Sequence, residues 1–194
     1  MFGTLAKADD VTAARLRDRL AVAADREGLL DVAYRTLDTP VGTLLVAATE
    51  QGLVRVAYAR EDHDAVLAKL AGAVSPRILL APRRLDAVAA QLEEYFARRR
   101  RSFDLPLDFR LSHGFRRAVL AHLREIGYGH TESYAQVAVA AGSPRAVRAV
   151  GTACATNPLP LVVPCHRVVR SDGSSGGYVG GEAVKRILLA LETA

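Results

Sequence analysis

Leu161-Val162-Val163-Pro164-Cys165-His166-Arg167-Val168-Val169 sets a cysteine beside a histidine inside an otherwise apolar run. The apolar residues predict a buried strand. A buried strand has no ordinary use for Pro-Cys-His-Arg, and proline removes a backbone donor that a central strand needs. The polar group therefore reads as placed, and the rest of the chain as its support.

A thiol is nucleophilic as thiolate and ordinarily ionises at about 8.5. A neighbouring histidine takes its proton, directly or through water, where a third group holds the imidazole. The acids downstream are Asp172, Glu182 and Glu192. Glu192 is attractive because a helix end projects it, and an acid there otherwise faces an unfavourable dipole. The residues alone leave it open against a solvent-exposed glutamate, as they leave the pair itself open against a buried cysteine with a structural histidine. Cys154 lies eleven residues before Cys165 and lacks the paired spacing of a zinc site, so no metal is expected. Within its small-residue helix Cys154 behaves as a small hydrophobe.

Upstream of the pair, Asn157-Pro158-Leu159-Pro160 forms a rigid turn in which asparagine ties backbone together. Before it, Ser133 caps a short helix over 134–141 that Gly142 stops, and Ser143-Pro144 starts a second over 144–155. Two short helices around a glycine turn make a helix-turn-helix candidate. The second carries Arg145 and Arg148 among small residues and few groups that read base edges, which favours backbone or minor-groove contact. A plain helical hairpin in a core is the alternative. Ser112 is expected to cap a helix bearing Phe115, Val119, Leu123 and Ile126. Downstream, 171–181 is a Gly- and Ser-rich loop with Tyr178 as its aromatic, and 182–191 is a last helix.

The first half holds no catalytic constellation. A helix over 9–30 has Leu16, Leu20, Ala23 and Ala24 on one side and is expected to pack on the domain surface. Strands follow at 32–37, 43–49 and 53–59, then a helix at 62–71 and a strand at 77–80. A helix at 83–99 buries Leu85, Val88, Ala89, Leu92 and Phe96, and alternation at Phe103, Leu105, Leu107 and Phe109 closes this half. The run Arg98–Arg101 reads as a solvated helix end, with phosphate contact as the alternative. The expected architecture is α+β: an extension over 1–30, a supporting domain over 31–108 with an antiparallel sheet, and a mostly helical domain over 109–194 with a helix-turn-helix and an active-site strand.

Half of the 194 residues are apolar and a quarter charged, which suits a globule with a real core. No apolar run is long enough for a membrane span, and Met1–Asp10 has no secretory pattern. Two cysteines make no disulfide framework, so reduced thiols in a cytoplasm are expected. The net charge is +5, and residues 111–194 hold nine Lys and Arg against five acids, compatible with a polyanionic partner.

Val163-Pro164-Cys165-His166-Arg167-Val168 resembles the active-site signature of the O6-alkylguanine-DNA alkyltransferases, the methylated-DNA–protein-cysteine methyltransferases. The likeness extends through Ser133-Tyr134, Arg145 to Gly151, Asn157-Pro158, Tyr178 to Gly181 and Lys185 to Glu192, and more loosely through Gln91-Leu92, Tyr95-Phe96 and Leu105-Pro106-Leu107. It implies a ribonuclease H-like first domain and a single, irreversible transfer of an alkyl group from O6 of guanine, or O4 of thymine, to Cys165. His166, through a water, and Glu192 behind it make the thiolate, and Asn157 braces the turn. Arg148 enters the base stack as the nucleotide leaves, with Arg145 on the same DNA-binding helix. Tyr134 rotates the nucleotide and hydrogen-bonds the flipped base. Carbonyls near Cys165 and Val168 receive the guanine amino group, Tyr178 packs on the alkyl side, and Lys185 belongs to the same substrate-binding set. Val179 stands where some relatives have serine or glycine, which bears on the alkyl groups accepted. The implied partner is double-stranded DNA carrying O6-alkylguanine, bound by a monomer without cofactor. A binder without catalysis is disfavoured by the presence of Cys165, and a cysteine hydrolase by the absence of an oxyanion signature.

Overall fold

A computed structural model describes residues 3–193 of the chain. Its first half is a four-stranded sheet with helices against it. Helix α1 spans Gly3–Arg26, followed by β1 (Val32–Leu37), β2 (Leu44–Thr49) and β3 (Gly52–Tyr58). Helix α2 (His63–Ala73), β4 (Ile78–Leu80) and α3 (Asp86–Phe96) complete it. The strand order is β3-β2-β1-β4. Antiparallel pairing joins β1 to β2 and β2 to β3, while the short edge strand β4 runs parallel to β1. Every residue of β2 is buried, as expected of a central strand covered on both faces.

The second half holds α4 (Gly114–Leu123), β5 (Glu132–Ser133), α5 (Tyr134–Ala140), α6 (Val147–Ala155), β6 (Val168–Val169) and α7 (Glu182–Thr193). Ser133 caps α5: its hydroxyl accepts from the Gln136 amide at 3.2 Å, and its own amide donates to the Gln136 side chain at 2.7 Å. Gly142, at φ 76°, turns the chain towards α6. Extended residues 103–109 run along β3, where the Leu53 amide donates to Pro106 and the Asp108 amide to Leu53, and the same strand joins the second half through the Val56 amide, which donates to the Pro158 carbonyl at 2.8 Å. Gly52 is needed there, since a Cβ would lie 2.2 Å from the Pro106 carbonyl oxygen.

Several local expectations give way to tertiary packing. Helix α1 ends at Arg26 rather than 30, and Leu16 and Leu20 face solvent at 53% and 58% exposure. Ala21 is its buried contact, a side chain small enough for close approach to the sheet edge. The 83–99 helix is a 3-10 turn (Pro82–Leu85) followed by α3, and Tyr95 rather than Phe96 is its fully buried aromatic. The arginine run lies beyond α3: Arg98 takes a positive φ of 59° and Arg100 pairs with Glu94 at 2.7 Å. Ser112 caps nothing; His113 precedes α4 and the Ser112 hydroxyl is buried without a partner among the described residues. Ser143-Pro144 forms a turn, and α6 begins at Val147.

The largest correction concerns 161–169. Only Val168–Val169 is strand, paired parallel with Glu132–Ser133. Cys165–Arg167 forms one 3-10 turn after Pro164, and Leu161 holds a positive φ of 73°. Pro160 and Pro164 bracket the apolar residues with two missing donors, which prevents a ladder and leaves a compact buried loop.

Candidate active site

The loop from Asn157 to Val168 is buried without interruption, so each of its polar groups needs an internal partner. Asn157 supplies most of them. Its Oδ1 accepts from the Leu159 amide at 2.9 Å, and its Nδ2 donates to the Val163 carbonyl at 2.9 Å and to Cys165 Sγ at 3.1 Å. The expected brace of the turn is therefore also a direct contact of the thiol.

Cys165 is 1% exposed. Burial pushes its thiol up to about 11, against the opposing pull of the Asn157 amide and the Lys185 ammonium. The resting group is thus a neutral thiol that needs a base. His166 is fully buried beside it in sequence, and burial holds its imidazole below its usual range, in the neutral form that accepts a proton. Its Nε2 donates to Glu192 Oε1 at 2.9 Å, which leaves Nδ1 as the acceptor. Nδ1 is buried with no hydrogen-bond partner among the described residues.

Glu192 is surrounded by donors. Arg167 Nε reaches Oε2 and Nη2 reaches Oε1, each at 2.9 Å. The Tyr95 hydroxyl donates to Oε1 at 2.7 Å and the Gly129 amide to Oε2 at 3.2 Å. Burial alone would raise this carboxyl, but the His166 and Arg167 hydrogen bonds hold it well below the usual carboxylate range. Gly129, at φ 75°, lets its amide come this near, since a Cβ would lie 2.9 Å from the Glu192 carbonyl oxygen. Helix α7 runs to Thr193, so Glu192 sits inside its last turn.

The remaining candidates divide into two groups. Pairing of Glu132–Ser133 with Val168–Val169 brings the start of α5, and hence Tyr134, beside the Cys165 turn. Tyr134 is half-buried, its hydroxyl is pushed up to about 12 by burial, and it points at the Gly177 carbonyl, 3.5 Å away. Lys185 is fully buried; its ammonium donates to the Val168 carbonyl and lies 6.0 Å from the centre of the Tyr134 ring. Its ammonium is thus spent inside the protein, on a backbone carbonyl next to the Cys165 turn. The Tyr178 ring stands edge-on to the His166 ring at 6.2 Å. Arg145, in the turn between α5 and α6, and Arg148, in the first turn of α6, are exposed and without an ion-pair partner among the described residues. Val179 lines a cleft of about 480 Å³ together with Asn157, Arg55, Glu61 and Leu70.

Sequence reasoning assigned no role to Arg167, Tyr95, Gly129 or Tyr58. Arg167 lies within the opening motif, Tyr95 continues the Val88, Leu92 spacing and Gly129 reads only as a helix stop; Tyr58 carries no local signal. Among the described residues no group of His, Cys, Asp and Glu could hold a metal ion, and no helix is long and apolar enough to cross a membrane.

Comparison with known proteins gives a consistent result. Residues 32–109 match the family described as 6-O-methylguanine DNA methyltransferase, ribonuclease-like domain, and residues 114–194 match its DNA binding domain. The methylated-DNA–protein-cysteine methyltransferase of Mycolicibacterium paratuberculosis is 38% identical over 161 residues, covering 83% of this chain and 92% of that protein. The constitutive enzyme of that name from Bacillus subtilis is 37% identical over 163 residues, covering 82% and 94%. The crystal structure of Mycobacterium tuberculosis OGT in complex with DNA superposes with a TM-score of 0.70 at 35% identity, over 83% of this chain and 92% of that one. With both halves matched and near-complete coverage of such relatives, the chain belongs to the 6-O-methylguanine DNA methyltransferase family.

Proposed function

We propose that this protein reverses DNA damage directly, by moving an alkyl group from O6 of guanine to Cys165 in one irreversible step. The observation that carries the reading is the buried Cys165 thiol, held by Asn157 and followed by a His166 that Glu192 fixes in the neutral, accepting form. At 1% exposure the thiol cannot meet a base that stays in the duplex. The damaged nucleotide has to leave the stack, at a cost of a few kcal/mol that is smaller for a poorly paired lesion.

The helix-turn-helix of α5 and α6 lies on the minor groove, with Arg145 and Arg148 on the phosphates and in the gap left by the nucleotide. Tyr134 meets the extruded base beside Val168. The thiol proton passes through a bridging water to His166 Nδ1, and Glu192 compensates the imidazolium charge. The sulfur forms a bond to the alkyl carbon, the carbon–O6 bond breaks, and the electron pair leaves with guanine, which takes a proton from Tyr134. The product is a thioether that hydrolysis does not reverse, so each molecule acts once.

The working unit is a cytoplasmic monomer divided at about residues 30 and 108, in the manner described from the sequence. The ordered halves around the site support this division, as do the separate family matches to each. Incubation with a duplex carrying O6-methylguanine is expected to add one methyl mass, on the Cys165 peptide. Cys165→Ala is expected to bind the duplex and gain no mass. An unmodified Cys165 in a protein that binds the lesion would overturn the reading, as would repeated turnover by one molecule.

A further inference from the structure

The end of β3 enters the active site from the other half of the molecule. Tyr58, the last residue of that strand, is 2% exposed, and its hydroxyl hydrogen-bonds the Tyr178 hydroxyl at 2.7 Å. The two rings meet edge to face at 5.8 Å, and Tyr178 in turn stands edge-on to His166. A buried phenol needs a polar partner, and these two satisfy each other. The chain then passes tightly over both rings: a Cβ on Gly180 would lie 2.8 Å from Tyr58 ring carbons and 3.0 Å from Tyr178. One residue on, a Cβ on Gly181 would lie 2.6 Å from the Arg60 guanidinium. Loop 178–181 is thus pressed against the two rings at Gly180, while at Gly181 its neighbour is the mobile end of the Arg60 side chain.

We propose that Tyr58 is a specificity-determining residue: through its clasp on Tyr178 it sets the depth of the space for the alkyl group and restricts the protein to small adducts. This rests on the reading of Cys165 as alkyl acceptor with Tyr178 on the alkyl side. An alkyl group in line with Sγ lies against Tyr178, and the side chain that stops Tyr178 from swinging outward is Tyr58. The limit on adduct size therefore comes from the sheet half, which supplies none of the reacting atoms. Differences of one or a few carbons in such a pocket change rates by about 10- to 200-fold.

The test uses the full chain with duplexes carrying O6-methylguanine or O6-benzylguanine, and reads the rate constant for adduct formation on Cys165. Tyr58→Leu is expected to raise the benzyl-to-methyl rate ratio by about tenfold or more, since the wall recedes. Tyr58→Phe keeps the ring and frees the Tyr178 hydroxyl, and a rise of about threefold is expected, by the weaker loss of one neutral hydrogen bond. A ratio within twofold of the unsubstituted protein, in Tyr58→Phe and in Tyr58→Leu where that folds, overturns the proposal while methyl transfer continues. Failure of the unsubstituted protein to form either adduct instead overturns the alkyltransferase reading itself, and the inference falls with it.

Discussion

Strand β2 and the loop 157–168 are both buried along their length, yet they are built from different material. In β2 the buried residues are Leu44, Leu45, Val46, Ala47 and Ala48, closed by Thr49. In the second half the interior holds Asn157, His166, Arg167, Lys185 and Glu192, five of the eight buried polar or charged residues described. The sheet half gains stability in the ordinary way, by removing apolar surface from water. The helical half takes ionised groups out of water, which stabilises little when they are paired and costs several kcal/mol when they are not. Such an interior makes sense as a device for holding one imidazole and one thiol in fixed states. One apolar cluster runs from Leu44, Val46 and Val56 through to Val163 and Val168, and within it Tyr95 and Tyr58 carry hydroxyls of the sheet half to Glu192 and Tyr178.

Glu192→Gln is expected to have the largest effect. It removes the charge that His166 needs opposite it and leaves Arg167 buried without its carboxylate. Adduct formation is expected to fall about 100-fold or more, as for loss of general acid–base assistance, and stability by about 3–5 kcal/mol. Single-turnover rates and chemical denaturation read the two effects separately. The sign with pH follows from the direction of the shift. Glu192 is held below the usual carboxylate range when folded, so its contribution is present at neutral pH and lost only as acid protonates it. Denaturation of the unsubstituted protein in acid, compared with Glu192→Gln, should show the two converging as pH falls.

Leu45→Ala probes the smaller, wholly apolar cluster of the sheet half. Leu45 is 1% exposed in a cluster with Val32, Val54 and Val66, away from the thiol. A loss of about 2–5 kcal/mol in unfolding free energy is expected, with an unchanged rate of adduct formation per folded molecule. A lowered rate in the folded fraction would show that the apolar interior also sets the geometry of the relay.

The smallest effect distinguishes holding from activating. Asn157→Ala removes the donor that pulls the Cys165 thiol down from its buried value. The rate of the unsubstituted protein is expected to climb with pH towards about 11 as thiolate accumulates. In Asn157→Ala the climb should move to higher pH, with a loss of a few-fold at pH 8, comparable to one hydrogen bond. A superimposable profile would mean that Asn157 only braces the turn.

Much of this was written locally. Ser133 announces the start of α5, and the turn residues at 39–42 and 50–52 separate the three antiparallel strands, because caps and turns depend on near neighbours. The Cys165-His166 pair stood out because polar residues in an apolar run demand a reason. The same locality misled at Ser112, a capping residue whose helix starts elsewhere, and along 161–169, where Pro160 and Pro164 override the apolar pattern.

The chain by itself determined most of the order of elements, the juxtaposition of Cys165 with His166, and the small-residue helix suited to close approach, since each follows from backbone preference and side-chain chemistry within a few positions; the roles of the pair came from the likeness to a known family. Only tertiary structure decided which acid faces His166, that Arg167, Tyr95 and Gly129 keep it ionised, and that Tyr58 backs Tyr178. Those partners lie as far as 120 residues apart, and a hydrogen bond acts only over the last few ångströms that folding closes.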